Sequence, residues 1–161
     1  MKKAIETMQK IQVAIGGFFL LVFLLTVVIQ MMSRYLGIAA TWTEDVTMYS
    51  FIWAVFMGAG AMVYEKRHFA FTSISDLLKN RTLKTLLSIV ISVIMLIFAG
   101  LMAYYGYLVT KQFWNYTWAY ITSFKRGPTW LCLPLCGVTS SVYLIYLIME
   151  DVINLVKGGN Q

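Results

Sequence analysis

Four stretches of this chain carry no charged residue, and their lengths decide what it can fold into. Lys10 and Arg34 bracket 23 uncharged residues, Asp45 and Glu65 bracket 19, Lys84 and Lys111 bracket 26, and Arg126 and Glu150 bracket 23. A bilayer core about 30 Å thick takes about 20 helical residues at about 1.5 Å each, so every run suffices for one crossing. Spanning strands need alternating polarity, which these runs lack, and a closed barrel is thereby excluded. Charged residues make up only 12% of the chain, whereas a soluble domain carries about 25%. The sequence predicts an all-α membrane protein, a single domain over residues 1–161 with spans near 11–33, 46–64, 85–110 and 127–149. Lys2, Lys3 and Lys10 precede the first run as they would a secretion signal. Its 23 residues exceed the roughly 7–15 of a signal core, so a retained first helix is expected.

The basic residues fall unevenly on the two ends of such a bundle. Lys2, Lys3, Lys10, Lys66, Arg67, Lys79, Arg81, Lys84 and Lys157 share the end of the termini, and Arg34, Lys111, Lys125 and Arg126 the other. Basic loops stay in the cytoplasm, so both termini are expected inside. Lys66, Arg67, Lys79, Arg81 and Lys84 are the candidates for phospholipid headgroups. The net charge of +6 is then explained by topology and lipid rather than by nucleic acid. In "HFAFTSISDLLKN", Phe69, Phe71, Ile74, Leu77 and Leu78 share one apolar face, and Ser73 and Asp76 have capping-box spacing. A short helix lying in the interface is predicted over 73–80. His68, beside Lys66 and Arg67, reads as an interfacial residue.

The opposite end is built differently. "KQFWNYTWAYITSFKR" holds six aromatics in 16 residues, among them Trp114 and Trp118. They form an interfacial belt, a docking surface for a partner outside the membrane, or both. Thr41-x-x-Glu44 has the spacing of a capping box, with Glu44 and Asp45 in the first turn of the second helix. There each acid contributes about 0.3–1 kcal/mol against the helix dipole. Arg34 ends the first helix, and pairing with Glu44 or Asp45 would tie the first hairpin; the alternative is a direct contact of these acids with a partner protein. Lys125 and Arg126 precede a helix N-terminus, where the dipole disfavours cations, so lipid phosphates or a partner's acids are expected to hold them. "AVFMGAGAM" gathers Ala54, Gly58, Ala59, Gly60 and Ala61, which serve internal packing or contact with another subunit. Pro128 suits a first helical turn. Pro134 should kink the fourth helix near Trp130, whose carbonyl loses its partner.

Chemistry has few places to sit. Asp, Glu, Lys, Arg or His inside spans mark ion or substrate routes, and the four runs hold none. A haem bundle needs paired axial ligands, while His68 is the single histidine. No metal or other cofactor is expected, nor catalysis by this chain alone. The enzyme alternative is a four-helix membrane thiol:quinone oxidoreductase using Cys132 and Cys136. Their C-x-x-x-C spacing around Pro134 puts both on one helix face without the Cβ directions a disulfide needs, so buried, inert thiols are expected.

The order of these features resembles the small membrane subunit of tripartite ATP-independent periplasmic (TRAP) transporters, the family called DctQ or SiaQ. Arg34-Tyr35 ends the first helix, and Trp42-Thr43-Glu44-Asp45 follows. Then come "SFIWAVFMGAGAM" with Trp53, Gly58 and Gly60, His68 with Asp76 downstream, and the proline-containing "GPTWLCLPLCG" with Pro134. The likeness covers roughly residues 10–155. It departs in having Glu44-Asp45 where Glu-Glu is common, and "FAFTSI" after His68 where an aliphatic run is usual. The resemblance implies a bacterial inner-membrane protein that binds a large multi-span subunit, which moves an organic acid with sodium. Sialic acids and C4-dicarboxylates are the substrate classes it implies. The small subunit would clasp the large one's static scaffold and help dock a periplasmic substrate-binding protein. Arg34, Trp42, Glu44, Asp45, Trp53, Gly58, Gly60, His68 and Pro134 become candidates for those contacts. From the residues alone, Trp114, Trp118, Lys125 and Arg126 join them.

Overall fold

The computed structural model describes residues 2–65 and 81–158. The interfacial helix expected over 73–80, and with it Lys66, Arg67, His68, Asp76 and Lys79, lies outside the described residues. Among the described residues five helices follow one another: α1 (Lys2–Tyr35), α2 (Trp42–Tyr64), α3 (Arg81–Gln112), α4 (Gly127–Trp130) and α5 (Cys132–Gly158). Among the described residues, four helical stretches are long and apolar enough to cross a membrane: α1, α2, Leu83–Gln112, and Gly127–Val156, which joins α4 to most of α5.

Each helix ends where the sequence stops supporting it. The chain leaves α1 through Gly37, whose φ of 69° is a left-handed conformation that suits glycine. Gly37 N–H donates to the Arg34 carbonyl at 3.2 Å and Ile38 N–H to the Ser33 carbonyl at 2.9 Å, which together satisfy the last carbonyls of α1. The capping box expected at Thr41 is absent. Thr41 has helical dihedrals (φ −62°, ψ −29°) and makes no side-chain cap, whereas a cap needs an extended residue to aim its hydroxyl back. Backbone turns replace it, with Thr43 N–H bonded to the Ala40 carbonyl and Glu44 N–H to that of Thr41. The Thr43 hydroxyl also donates to Ala40, at 2.6 Å. The fourth span breaks at Leu131, between α4 and α5. Pro134 lacks the N–H that would reach the Trp130 carbonyl, and the interruption falls one residue past Trp130.

The helices pack as two hairpins, α1 on α2 and α3 on α5, joined through α2 and α5. The outer pair is open to the surroundings: 17% of the most apolar window of α1 and 11% of that of α3 is buried, against 39% for α2 and for the fourth span. Close approach depends on small residues. A Cβ added to Gly137 would lie 2.8 Å from Ala103 Cα, and one added to Gly106 would lie 2.8 Å from Leu133 Cβ, so both seat α3 against α5. Gly16 does the same for α1, 3.3 Å from the Gly58 nitrogen. On the α1–α2 seam Phe19 stacks on Trp53 with ring centroids 5.1 Å apart, and the Thr47 hydroxyl donates to that of Thr26 at 3.0 Å.

Candidate functional site

The end opposite the termini carries the most elaborate construction in the molecule. From Phe113 to Arg126 the chain forms a small hairpin, closed by an antiparallel bridge between Thr117 and Lys125. Trp118 N–H donates to the Phe124 carbonyl at 2.9 Å and Arg126 N–H to that of Tyr116 at 2.7 Å. Trp118 is its anchor. The ring stacks on Phe124 at 5.2 Å and leans on Tyr49 of α2 at 4.6 Å, while the indole N–H donates to the Thr129 hydroxyl of α4 at 3.1 Å. Trp114 packs on Gly127, where an added Cβ would come 2.6 Å from its ring.

Asp45 latches the tip of this hairpin. Only 3% of it is exposed, and its Oδ2 accepts Tyr120 N–H at 2.6 Å and Ile121 N–H at 3.1 Å. Bonds from backbone amides to a carboxylate are among the stronger hydrogen bonds. Beside it Glu44 stays exposed, against the Tyr120 phenol. As hydrogen-bond acceptor and then as negative charge, Glu44 raises the phenol above its ordinary 10.0. Arg126, half-buried, approaches the Tyr49 phenol. Arg126 Nε and Trp130 Nε1 are buried without a hydrogen-bond partner among the described residues.

The tie expected between Arg34 and the acids is therefore replaced. Arg34 is exposed at the end of α1, while Asp45 reaches across to a segment 75 residues on. Lys125 is exposed and Arg126 turns inward. Trp42 is 44% exposed at the start of α2. The small-residue cluster divides: Gly60 is buried against Gln12 and Cys136, and half-buried Gly58 lines an open groove with Gly16, Gly17 and Ala54. Lys84 is half-buried near the start of α3. Cys132 and Cys136 are free, buried thiols. Cys132 Sγ donates to the Thr129 carbonyl at 3.3 Å, and Cys136 Sγ lies 4.0 Å from the Ser140 hydroxyl.

Sequence reasoning missed a second polar cluster, nearer the termini. Gln12, 4% exposed, accepts from the Tyr143 hydroxyl at 2.9 Å and donates to that of Thr139 at 3.2 Å, which pins α1 to α5. The available signal was a glutamine two residues into an apolar run. Ser88 likewise donates to Asp151, 7% exposed, at 2.7 Å, although Asp151 lies just outside the fourth charge-free run.

Four apolar helices, whose charge-free runs hold no Asp, Glu, Lys, Arg or His, and a latched cap at one end define a multi-pass helical membrane protein. Over residues 10–154 the chain matches the DctQ component of tripartite ATP-independent periplasmic transporters, and it belongs to that family. It is thus the small membrane component of a TRAP transporter, a system in which the family works with a large membrane subunit and a substrate-binding protein. No curated protein matches the chain significantly.

Proposed function

We propose that this chain is the scaffold-bracing subunit of a transporter for sodium-coupled uptake of an organic acid, of the sialic acid or C4-dicarboxylate class. Both termini face the cytoplasm across the bacterial inner membrane. Its lateral faces brace the static part of the large subunit, and its outer end helps dock the soluble binding protein. One observation carries the reading: the four runs between bracketing charges hold no Asp, Glu, Lys, Arg or His, so the polar groups buried within them, such as the Gln12–Tyr143–Thr139 cluster, bind helices together instead of conducting. A chain shaped for the bilayer without a route through it acts on a neighbour that has one.

The test is co-expression with the candidate large subunit, tagging only the small one, and weighing the complex in nanodiscs. A stable one-to-one pair is expected, and it should support sodium-driven uptake once the binding protein is added. Purification of the small chain alone, its partner left behind, would sink the reading.

A further inference from the structure

The two hairpins meet through α2 and α5, and this arrangement leaves a groove of about 260 Å³ between α2 and α3, with α5 as its floor. Val63, Ala99 and Leu144 are buried along the bottom. Phe56, Met95, Phe98 and Met102 form the edges, and Phe98 is 67% exposed to the surroundings. Among the described residues the lining carries no charged side chain, and its polar pair, Cys136 and Ser140, bond to each other at 4.0 Å. A void here would leave the lining atoms without partners on one side. The bundle is complete only when something apolar lies in the groove.

The edges and the depth of the groove say what that is. In lipid, helices approach one another over small residues that let backbones close in. Such a surface exists elsewhere on this chain, along Gly16, Gly17 and Gly58. Large side chains edge the α2–α3 groove instead; they keep a partner's backbone away and leave room for a thin chain. Two of them are methionines, which adapt to an irregular apolar guest. On α2 the groove begins at Val63, beside the Glu65 that ends the charge-free run. It reaches Phe56, about 14 Å from Glu65 along the axis, close to half of a bilayer core about 30 Å thick. The groove thus runs from the interface on the side of the termini to mid-bilayer, which is the reach of one leaflet. On α3, Lys84 stands about three turns before Met95 and on the same face, at the level of headgroups.

We infer that this groove holds one acyl chain of a phospholipid from the leaflet on the side of the termini, with the lipid's phosphate beside Lys84. The lipid fills the seam between the two hairpins as a fixed part of the bundle. The site requires only that the four spans cross a bilayer, so it stands or falls separately from the subunit reading.

The experiment uses the two membrane subunits purified together in detergent, with added phosphatidylglycerol that carries a diazirine at mid-chain. Photolysis and peptide mapping should place saturable label on residues 56–63 and 95–102, competed by unlabelled dioleoyl phosphatidylglycerol. Dihexanoyl phosphatidylglycerol should not compete, since each buried methylene strengthens binding about fourfold. Lys84→Gln should weaken retention of the anionic lipid about fivefold at low salt. Ala59→Trp places a large ring on the exposed rim and should abolish the saturable label, with the subunits still paired one to one. Label of equal strength on the outer face of α1, at Leu21 and Leu24, with no saturation anywhere, would leave only the ordinary lipid shell and overturn the site. Loss of pairing in Ala59→Trp would give the groove to the large subunit and overturn it too. Competition by glycerol phosphate alone would reduce the site to an anion held by Lys84, with no chain in the groove.

Discussion

Asp45 shows how far single residues are legible. The acidic pair was visible in the sequence as a functional feature, but not which acid would do what. Neighbours on a helix point about 100° apart, so one of the two turns inward; its partner amides lie 75 and 76 residues away, and no local pattern announces them. Hydrogen bonds to charged groups contribute about 1.5–3 kcal/mol each. Asp45→Ala should cost about that much in total, since the hairpin can partly relax toward water, and thermal unfolding in detergent measures it. Glu44→Gln acts on the other face. Tyr120 is held protonated above its ordinary 10.0 by that carboxylate, so the stabilisation is complete below that pH and is lost as pH climbs through the raised value. The amide should bring the midpoint of Tyr120 back toward 10.0, which ring-carbon NMR of labelled tyrosine follows. Inside the bundle, Tyr143→Phe removes the bond to Gln12 and should cost about 0.6 kcal/mol, with about 1.7 as the ceiling seen for such bonds in membranes.

At the scale of elements, strong local rules held and weak ones gave way. Each charge-free run became helix, since in lipid every backbone group must be satisfied within its own segment. The fourth span is interrupted at Leu131, three residues before Pro134, which has no N–H to give the Trp130 carbonyl. The capping box failed because spacing says nothing of the dihedrals at Thr41, and the short Gly37 turn delivers the chain to α2 already in helical geometry. The role of the small residues was ambiguous in sequence for a physical reason: internal seams and outer contacts ask for the same side chains. The decisive glycines on the α3–α5 seam, Gly106 and Gly137, lie outside the "AVFMGAGAM" stretch altogether. Gly137→Leu should force α3 from α5, because its first carbon already meets Ala103 backbone. A loss of about 1–3 kcal/mol, typical of overpacking, is expected by thermal unfolding in detergent. Leucine at Gly17, where nothing stands within 4 Å, should leave the melting temperature unchanged and serves as the control.

For the whole molecule, the number of spans and the placement of charge answer different questions. Four crossings put both ends of the chain on one side by parity alone, and the hairpin from Phe113 to Arg126 on the other. Only the distribution of Lys and Arg, nine against four, says which side is which, and that rule acts through short loops like those here. The docking proposed for the outer end depends on this orientation, because a soluble binding protein outside the cytoplasm can reach only one end. Cys132 and Cys136 are buried, so a single introduced thiol reports cleanly. Thr122→Cys, exposed near the hairpin tip, should react with an impermeant maleimide in cells whose outer membrane alone is permeabilised. Lys3→Cys, at the other end of the bundle, should react only after the inner membrane is opened. The reverse pattern would place the aromatic hairpin in the cytoplasm. The charge count would then have misjudged this chain, and the hairpin would have to be explained by something the cytoplasm or the large subunit supplies.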